Sequence, residues 1–419
     1  MACPMRALLS LITASFVTVK AVIHYEQETR LKNVRQLTFE GTNAEAYFSA
    51  DGNHLVFQAS GGPYNSDCDV MYTMDLTAKD PWKSRKRLSN GHGATTCGEY
   101  VLSDTKIVYA ATYDATKPGA NQPKECPPRL CKSEESMKNE TLRKLCYTVA
   151  KGRYYRKYTW DLYSNYDIYM VNPDGTDLKK LVDKESYDAE ATRSPDGKEI
   201  VFTSMRTNDP EIYTLKLDGK SKPVQVTDEL GYDGGPFFNH KGDRIVFRAS
   251  RPKTKAEKDN YKALLRYNLV QPSQAEVFTI ARDGSDLRQV TNLGDANWAP
   301  YYHPNDRQIL FSSNYEGKRG HFNLYLVDDD AAMNKSLERV TFDTQFDAFA
   351  VYNHNGSQMV WISARGRPEN SSDLNIFLAD WVEDEKPPKP KAASPQPTLH
   401  GTLAILSLAL FAAAAQYTK

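Results

Sequence analysis

The sequence predicts an all-β protein, a six-bladed β-propeller of four-stranded blades closed by an N-terminal strand that completes the last blade. Three observations predict it. An aliphatic-aliphatic-aromatic triplet recurs six times, beginning at Leu55, Ile107, Ile200, Ile245, Ile309 and Met359. Successive triplets lie 52, 93, 45, 64 and 50 residues apart, a basic period that suits one propeller blade per repeat. The composition, with 25 Tyr, 16 Phe, 23 Gly and 22 Pro among 419 residues, favours short strands and turns.

Each repeat reads as strands a, b, c and d. A turn precedes the triplet on strand b, as in Asp51-Gly52, Asp196-Gly197, Lys241-Gly242-Asp243, Asn305-Asp306 and Asn355-Gly356. Such turns match the twist of paired antiparallel strands. Strand c follows, as in Ile212-Tyr213-Thr214, and then a short d strand, as in Val226-Thr227. The last repeat stops after strand c, whereas Arg35-Gln36-Leu37-Thr38 is a d strand lacking its own a, b and c. Joining the two removes the open edges that invite aggregation. An open solenoid would leave that split without a purpose.

The propeller spans residues 34–381, and both of its long inter-triplet gaps are insertions in b-to-c loops. The first, Asp114 to Asn165, holds Cys126, Cys131, Cys146, a helix expected over Glu134–Ala150, and an aromatic run from Tyr154 to Tyr166 that includes Trp160. The second, Arg251 to Ala275, carries a helical pattern around Ala256–Leu265. Long loops on a rigid scaffold commonly bind ligands. The aromatic run can stack on sugar rings or a peptide, or can pack on the outer rim.

The chain ends read as processing signals. Residues 1–21 follow the order of a secretory signal: charge, apolar run, small residues at the cleavage site. Residues 382–398 form a Pro- and Lys-rich stalk that ends in small residues, Ala392-Ala393-Ser394, and a polar spacer, and 399–419 hold an apolar run, Leu403 to Ala415; together they follow the order of a GPI-attachment signal. That run is short for a bilayer span; a membrane-spanning tail and a soluble secreted form are the alternatives. In an oxidising compartment at least one disulfide is expected among the five remaining cysteines, with Cys68–Cys97 the first choice because both fall on one face of neighbouring blades. Asn139, Asn334, Asn355 and Asn370 occupy glycosylation sequons.

The repeat Ser194-Pro195-Asp196-Gly197-Lys198-Glu199-Ile200-Val201-Phe202, followed by Glu211-Ile212-Tyr213 and Leu217-Asp218-Gly219, resembles the TolB-type propeller repeat. The resemblance extends from about Val34 to Trp381, and blade 2 departs most, its Ser103-Asp104-Thr105 turn lacking Pro and Gly. It implies a binding scaffold. Similar propellers also cover serine-peptidase active sites, but no Gly-x-Ser-x-Gly elbow occurs here and nothing after Trp381 reads as a hydrolase domain. The stretch before the first strand is also too short for the N-terminal domain of TolB.

Aligning the a strands brings Asn43, Thr95, Asp188, Asp233, Asn297 and Asp347 into one ring at a channel mouth, with Glu45, Cys97, Glu190, Gly235, Ala299 and Phe349 two positions further on. One reading is a ligand site formed by Asn43, Glu45, Asp188, Glu190, Asp233, Asn297 and Asp347 with Trp160 nearby, holding Ca2+ on Asp188, Asp233 and Asp347. The other is that Asp and Asn begin strands because they bond nearby backbone amides. The 53 basic and 53 acidic side chains balance, which argues against nucleic acid as a partner. The histidines form no catalytic set: His240, His303 and His354 fall toward the opposite face. The expected function is therefore an extracellular or cell-surface binding or matrix scaffold whose acidic channel mouth meets a cation, a glycan or a protein, and which touches the membrane only through its anchor. The alternative is a metal-assisted polysaccharide lyase or hydrolase with Glu45 or Glu190 as base.

Overall fold

A computed structural model describes residues 23–383, apart from 91, 114–125, 183, 318–319, 331 and 368–370. The signal, most of the stalk, the apolar tail and Asn370 lie outside the described residues. Six four-stranded antiparallel sheets follow one another along the chain. Blade 1 is Thr42–Phe48, His54–Ser60, Val70–Asp75 and Lys86–Arg87. Blade 2 is Thr95–Val101, Lys106–Ala111, Asp167–Val171 and Lys179–Lys180. Blade 3 is Asp188–Arg193, Glu199–Ser204, Glu211–Lys216 and Val224–Gln225. Blade 4 is Asp233–Phe238, Arg244–Ala249, Glu276–Ala281 and Arg288–Gln289. Blade 5 is Asn297–Tyr302, Gln308–Ser313, Asn323–Asp328 and Glu338–Arg339. Blade 6 is Asp347–Tyr352, Gln358–Ser363 and Asn375–Trp381, with Leu31–Gln36 paired antiparallel to its third strand. In that pairing Arg35 faces Leu378 and Gln36 faces Phe377.

The b strands form the core. Leu55-Val56-Phe57, Ile200-Val201-Phe202, Ile245-Val246-Phe247 and Met359-Val360-Trp361 are entirely buried, and the other two triplets nearly so. Each b strand has another blade's apolar side chains on both faces, so a continuous apolar run replaces the usual alternation. The turn before it is held by its own side chains. Ser194 Oγ donates to Asp196 Oδ1 at 2.7 Å, and Asp196 accepts the Lys198 amide at 3.1 Å. Gly197 sits at φ 67°, where a Cβ is disfavoured. Blade 2 lacks this device and instead carries three consecutive non-glycine residues at positive φ, Leu102, Ser103 and Asp104.

Every a strand is bulged. The register breaks between Ala44 and Tyr47, and at the equivalent place in the other five blades. Within each break one residue takes positive φ: Glu45, Cys97, Glu190, Gly235, Ala299 and Phe349, between 47° and 60°. A bulge re-aims side chains at a strand end.

The insertions meet each other. Trp160–Asp161 pairs with Leu269–Val270, and Cys131, Leu145, Cys146, Leu264 and Leu269 share one apolar cluster. The helix Lys255–Leu265 follows the expected pattern and begins with a capping box between Thr254 and Glu257. The helix expected over Glu134–Ala150 is instead two, Glu134–Lys138 and Glu140–Cys146, followed by a hairpin of Tyr147–Ala150 with Arg153–Arg156. Asn139 is the reason for the break: its side chain caps the second helix by accepting the Thr141 and Leu142 amides. Lys151 and Gly152, both at positive φ, make the hairpin turn.

The expected Cys68–Cys97 disulfide is replaced by Cys68–Cys126 and Cys131–Cys146. Cys97 sits at the bulge of blade 2, where its buried thiol turns to Glu45, while Cys68 lies in a loop within reach of the insertion. The odd cysteine is therefore buried and not presented to a second chain. Two disulfides suit a chain that matures outside a reducing cytoplasm. No helix among the described residues is long and apolar enough to cross a membrane.

Candidate functional site

The ring expected at the channel mouth divides into two sets. Asn43, Thr95, Asp188, Asp233, Asn297 and Asp347 are each 0% exposed, so none faces an opening. They fasten the start of each a strand to its neighbours. Asn43 Nδ2 donates to the Leu374 carbonyl at 2.9 Å, Thr95 Oγ1 to the Asp69 carbonyl at 3.1 Å, and Asn297 Nδ2 to the Ala275 carbonyl at 3.0 Å. The three aspartates instead hold arginines that lie eighteen residues further on in each case. Arg206 reaches Asp188 at 2.8 Å, Arg251 grips Asp233 through both of its terminal nitrogens, and Arg365 reaches Asp347 at 2.7 Å. Asp188, Asp233 and Asp347 thus stand in three separate blades with three separate counter-ions. Among the described residues no group of three or more His, Cys, Asp or Glu is placed to share an ion. The cation reading had counted these aspartates as converging; burial of the whole ring removes its basis.

The second set reaches the channel. Cys97 Sγ donates to Glu45 Oε2 at 2.8 Å, and the Cys97 amide donates to Gln58 Oε1 at 3.0 Å. Burial pushes the Glu45 carboxyl up to about 7, with Glu190 adding to the rise and the Cys97 hydrogen bond opposing it. Burial, then Glu45, pushes the Cys97 thiol well above its ordinary range. Glu190 accepts from Thr203 Oγ1 at 2.8 Å, the Gly235 amide at 2.8 Å, Tyr232 OH at 3.2 Å and Arg248. Gly235 is required there, because a Cβ would lie 2.1 Å from the Arg248 guanidinium. The Trp160 ring lies 4.8 Å from that guanidinium on its other side. Trp160 thus covers the mouth, and the carboxylates beneath it already have donors.

Beside the mouth the exposed Tyr158 ring is backed by the buried Trp298 and Phe322. A groove of about 670 Å³ runs between the inserted hairpin and blades 5 and 6. Its walls include Tyr158, Trp298, Phe322 and Phe346. Trp298 stacks on Phe322 at 4.4 Å and on Tyr158 at 5.7 Å, and Phe346 meets Phe322 edge-on at 5.6 Å. Gln271, Gln274, Ser273 and Asn314 supply amides and a hydroxyl. Trp298 Nε1 donates to the Pro272 carbonyl at 2.8 Å, which fixes the ring.

The far end of the channel is different again. His240 and His354 face each other at 4.6 Å beside Arg193, Glu99 and Tyr301, around a narrow space of about 60 Å³. Of the sequons, Asn139 and Asn355 are exposed and Asn334 is half-buried. Sequence reasoning missed Arg248 and Trp298, and missed the three arginines, although their constant distance from the aspartates was there to be read. Arg248 also had a signal: it is a charge directly after the apolar triplet Ile245-Val246-Phe247.

No family model matches the chain. A stretch of 120 residues is 33% identical to an uncharacterized protein of Agrobacterium fabrum, covering 29% of this chain and 34% of that one. A stretch of 51 residues is 39% identical to the TolB homolog of Chlorobium luteolum, covering 12% of each chain. The matched parts are thus 34% and 12% of those relatives' lengths. A solved structure described as a TolB from Agrobacterium tumefaciens aligns over 84% of this chain and 97% of its own, at 15% identity and a TM-score of 0.49. By its own strand order the chain is a six-bladed β-propeller, and one stretch of its repeats is similar to TolB.

Proposed function

We propose that the protein is a binding scaffold that takes a glycan into the aromatic groove between its inserted hairpin and blades 5 and 6. The observation that carries this reading is the exposed Tyr158 ring, backed by the buried Trp298, in a groove that the half-buried Phe346 and several amides also line. Flat apolar rings pack against sugar faces while amides meet hydroxyls. The reading moves the ligand away from the acidic channel mouth, because Glu190 and the buried aspartates already have partners. The same pairing weighs against Glu190 as the base of the lyase alternative, since a general base needs a free lone pair within reach of its substrate.

The reading also takes residues 1–21 as a secretory signal and 399–419 as a GPI-attachment signal, in keeping with the disulfides. Its test is a glycan array probed with the wild type and with Tyr158→Ala. Tyr158 is 46% exposed, so its loss should leave the melting temperature nearly unchanged. The expected result is a drop in affinity of about tenfold for the glycans that bind, given the stacking contribution of one ring. Equal array signals for the two proteins would contradict the reading.

A further inference from the structure

The chain as a whole carries no net charge, yet residues 141–160 contain six cations and no acid. Three of these sit on the hairpin Tyr147–Ala150 with Arg153–Arg156, whose tip is Lys151-Gly152, and Lys157 follows it directly. The hairpin is exposed on both faces: Val149 is 64% exposed, Tyr154 50% and Tyr155 47%. None of Lys151, Arg153, Arg156 and Lys157 has an ion-pair partner among the described residues. The disulfide Cys131–Cys146 anchors the base of the hairpin.

The pairing assigns sides to these charges. Thr148 faces Tyr155 and Ala150 faces Arg153, so the four share one face. Thr148 lines the aromatic groove, and so does Lys157, two residues beyond Tyr155. Arg153, Tyr155 and Lys157 therefore belong to the groove side. Arg156 belongs to the other side, where it and Arg129 crowd Lys132 and lower its affinity for a proton. Lys157 is partly buried, with Nζ donating to the Lys144 carbonyl at 3.0 Å, and burial pulls its ammonium below the ordinary range. A desolvated cation without a counter-ion gains most from an incoming anion. Asp295 is the one acid lining the groove.

We propose that the groove takes an acidic glycan, whose carboxylate or sulfate groups meet Arg153 and Lys157 on the groove side of the hairpin while a sugar ring lies on Tyr158. This rests on the groove reading above and names its ligand class. An arginine fork suits either oxyanion, so the two sources are separated by the choice of probe.

The test is calorimetric titration of the full chain with hyaluronan oligosaccharides (carboxylate alone), chondroitin sulfate oligosaccharides (carboxylate and sulfate) and dextran oligosaccharides (neutral). Wild type is expected to bind at least one acidic probe about tenfold more tightly than dextran, with the advantage shrinking as salt is raised. Arg153→Glu and Lys157→Gln should each erase most of that advantage, whereas Arg156→Glu on the other face should keep it. Arg153 is exposed, so Arg153→Glu keeps the test open even if Lys157→Gln unfolds. Equal affinity for dextran and the acidic chains, or equal losses from Arg153→Glu and Arg156→Glu, would overturn the proposal. In the first case, retained sensitivity to Tyr158→Ala leaves the groove reading standing; binding of no probe, with Tyr158→Ala without effect, sinks both.

Discussion

The channel mouth and the inserted hairpin are both rich in charge, but they use it differently. At the mouth every carboxylate has a donor or a counter-ion: Glu45 has Cys97, Glu190 has Arg248, and Asp188, Asp233 and Asp347 each have an arginine. On the hairpin, Lys151, Arg153 and Arg156 are exposed and have no ion-pair partner among the described residues. The first pattern is that of groups that hold a scaffold together, because a buried charge is tolerated only when it is paired. The second is that of groups kept available for something that arrives. The lesson is that an inventory of charged residue types does not locate a site; whether each charge is already satisfied does.

The largest break in the comparison should come from Arg365→Ala. Arg365, Glu28 and Asp347 are all fully buried, with Arg365 reaching Glu28 at 2.9 Å and Asp347 at 2.7 Å. Removing the cation leaves two carboxylates without it, at a cost of about 3–5 kcal/mol in chemical denaturation. A loss below ~1 kcal/mol would mean the cluster is not the latch the geometry describes.

A smaller and pH-dependent effect is expected at Glu45. Its carboxyl is raised from the model-compound value of 4.5 to about 7, so the folded state keeps its proton where the unfolded state loses it. Glu45 then contributes nothing differential below the ordinary carboxylate range. It makes stability fall as pH rises between about 4.5 and 7, and adds a constant penalty above. Glu45→Gln should therefore flatten stability across that window, measured as denaturation midpoints at several pH values. Parallel curves for the two proteins would show that Glu45 is not held protonated. The smallest effect on stability is expected from Arg153→Glu, within about 0.5 kcal/mol, since it touches exposed surface alone.

How much of this was legible in the sequence follows from where the signal lives. The b strands were legible because their burial on both faces demands an unbroken apolar triplet. The turns were legible because Ser194, Asp196 and Gly197 each do a separate job there. The a-strand bulges were not, because positive φ falls on Glu45, Cys97, Ala299 and Phe349 as well as on Gly235, so no single residue type marks it. The disulfide pattern was not, because connectivity depends on which loop reaches which. The hairpin was hidden inside a stretch whose spacing suited a helix, and Asn139 was the one cue to the break. The aromatic groove joins Tyr158 of the first insertion to Trp298 of blade 5 and Phe346 near blade 6, residues that nothing local connects.

Hydrogen exchange of the full chain with and without a chondroitin sulfate hexasaccharide tests the contrast between mouth and hairpin most directly. The account predicts new protection in the hairpin around Tyr147–Arg156 and at the groove wall near Trp298, with the a strands carrying Glu45, Cys97 and Glu190 unchanged. Protection centred on those a strands, with the hairpin exchanging as fast as before, would return the ligand to the channel and contradict it.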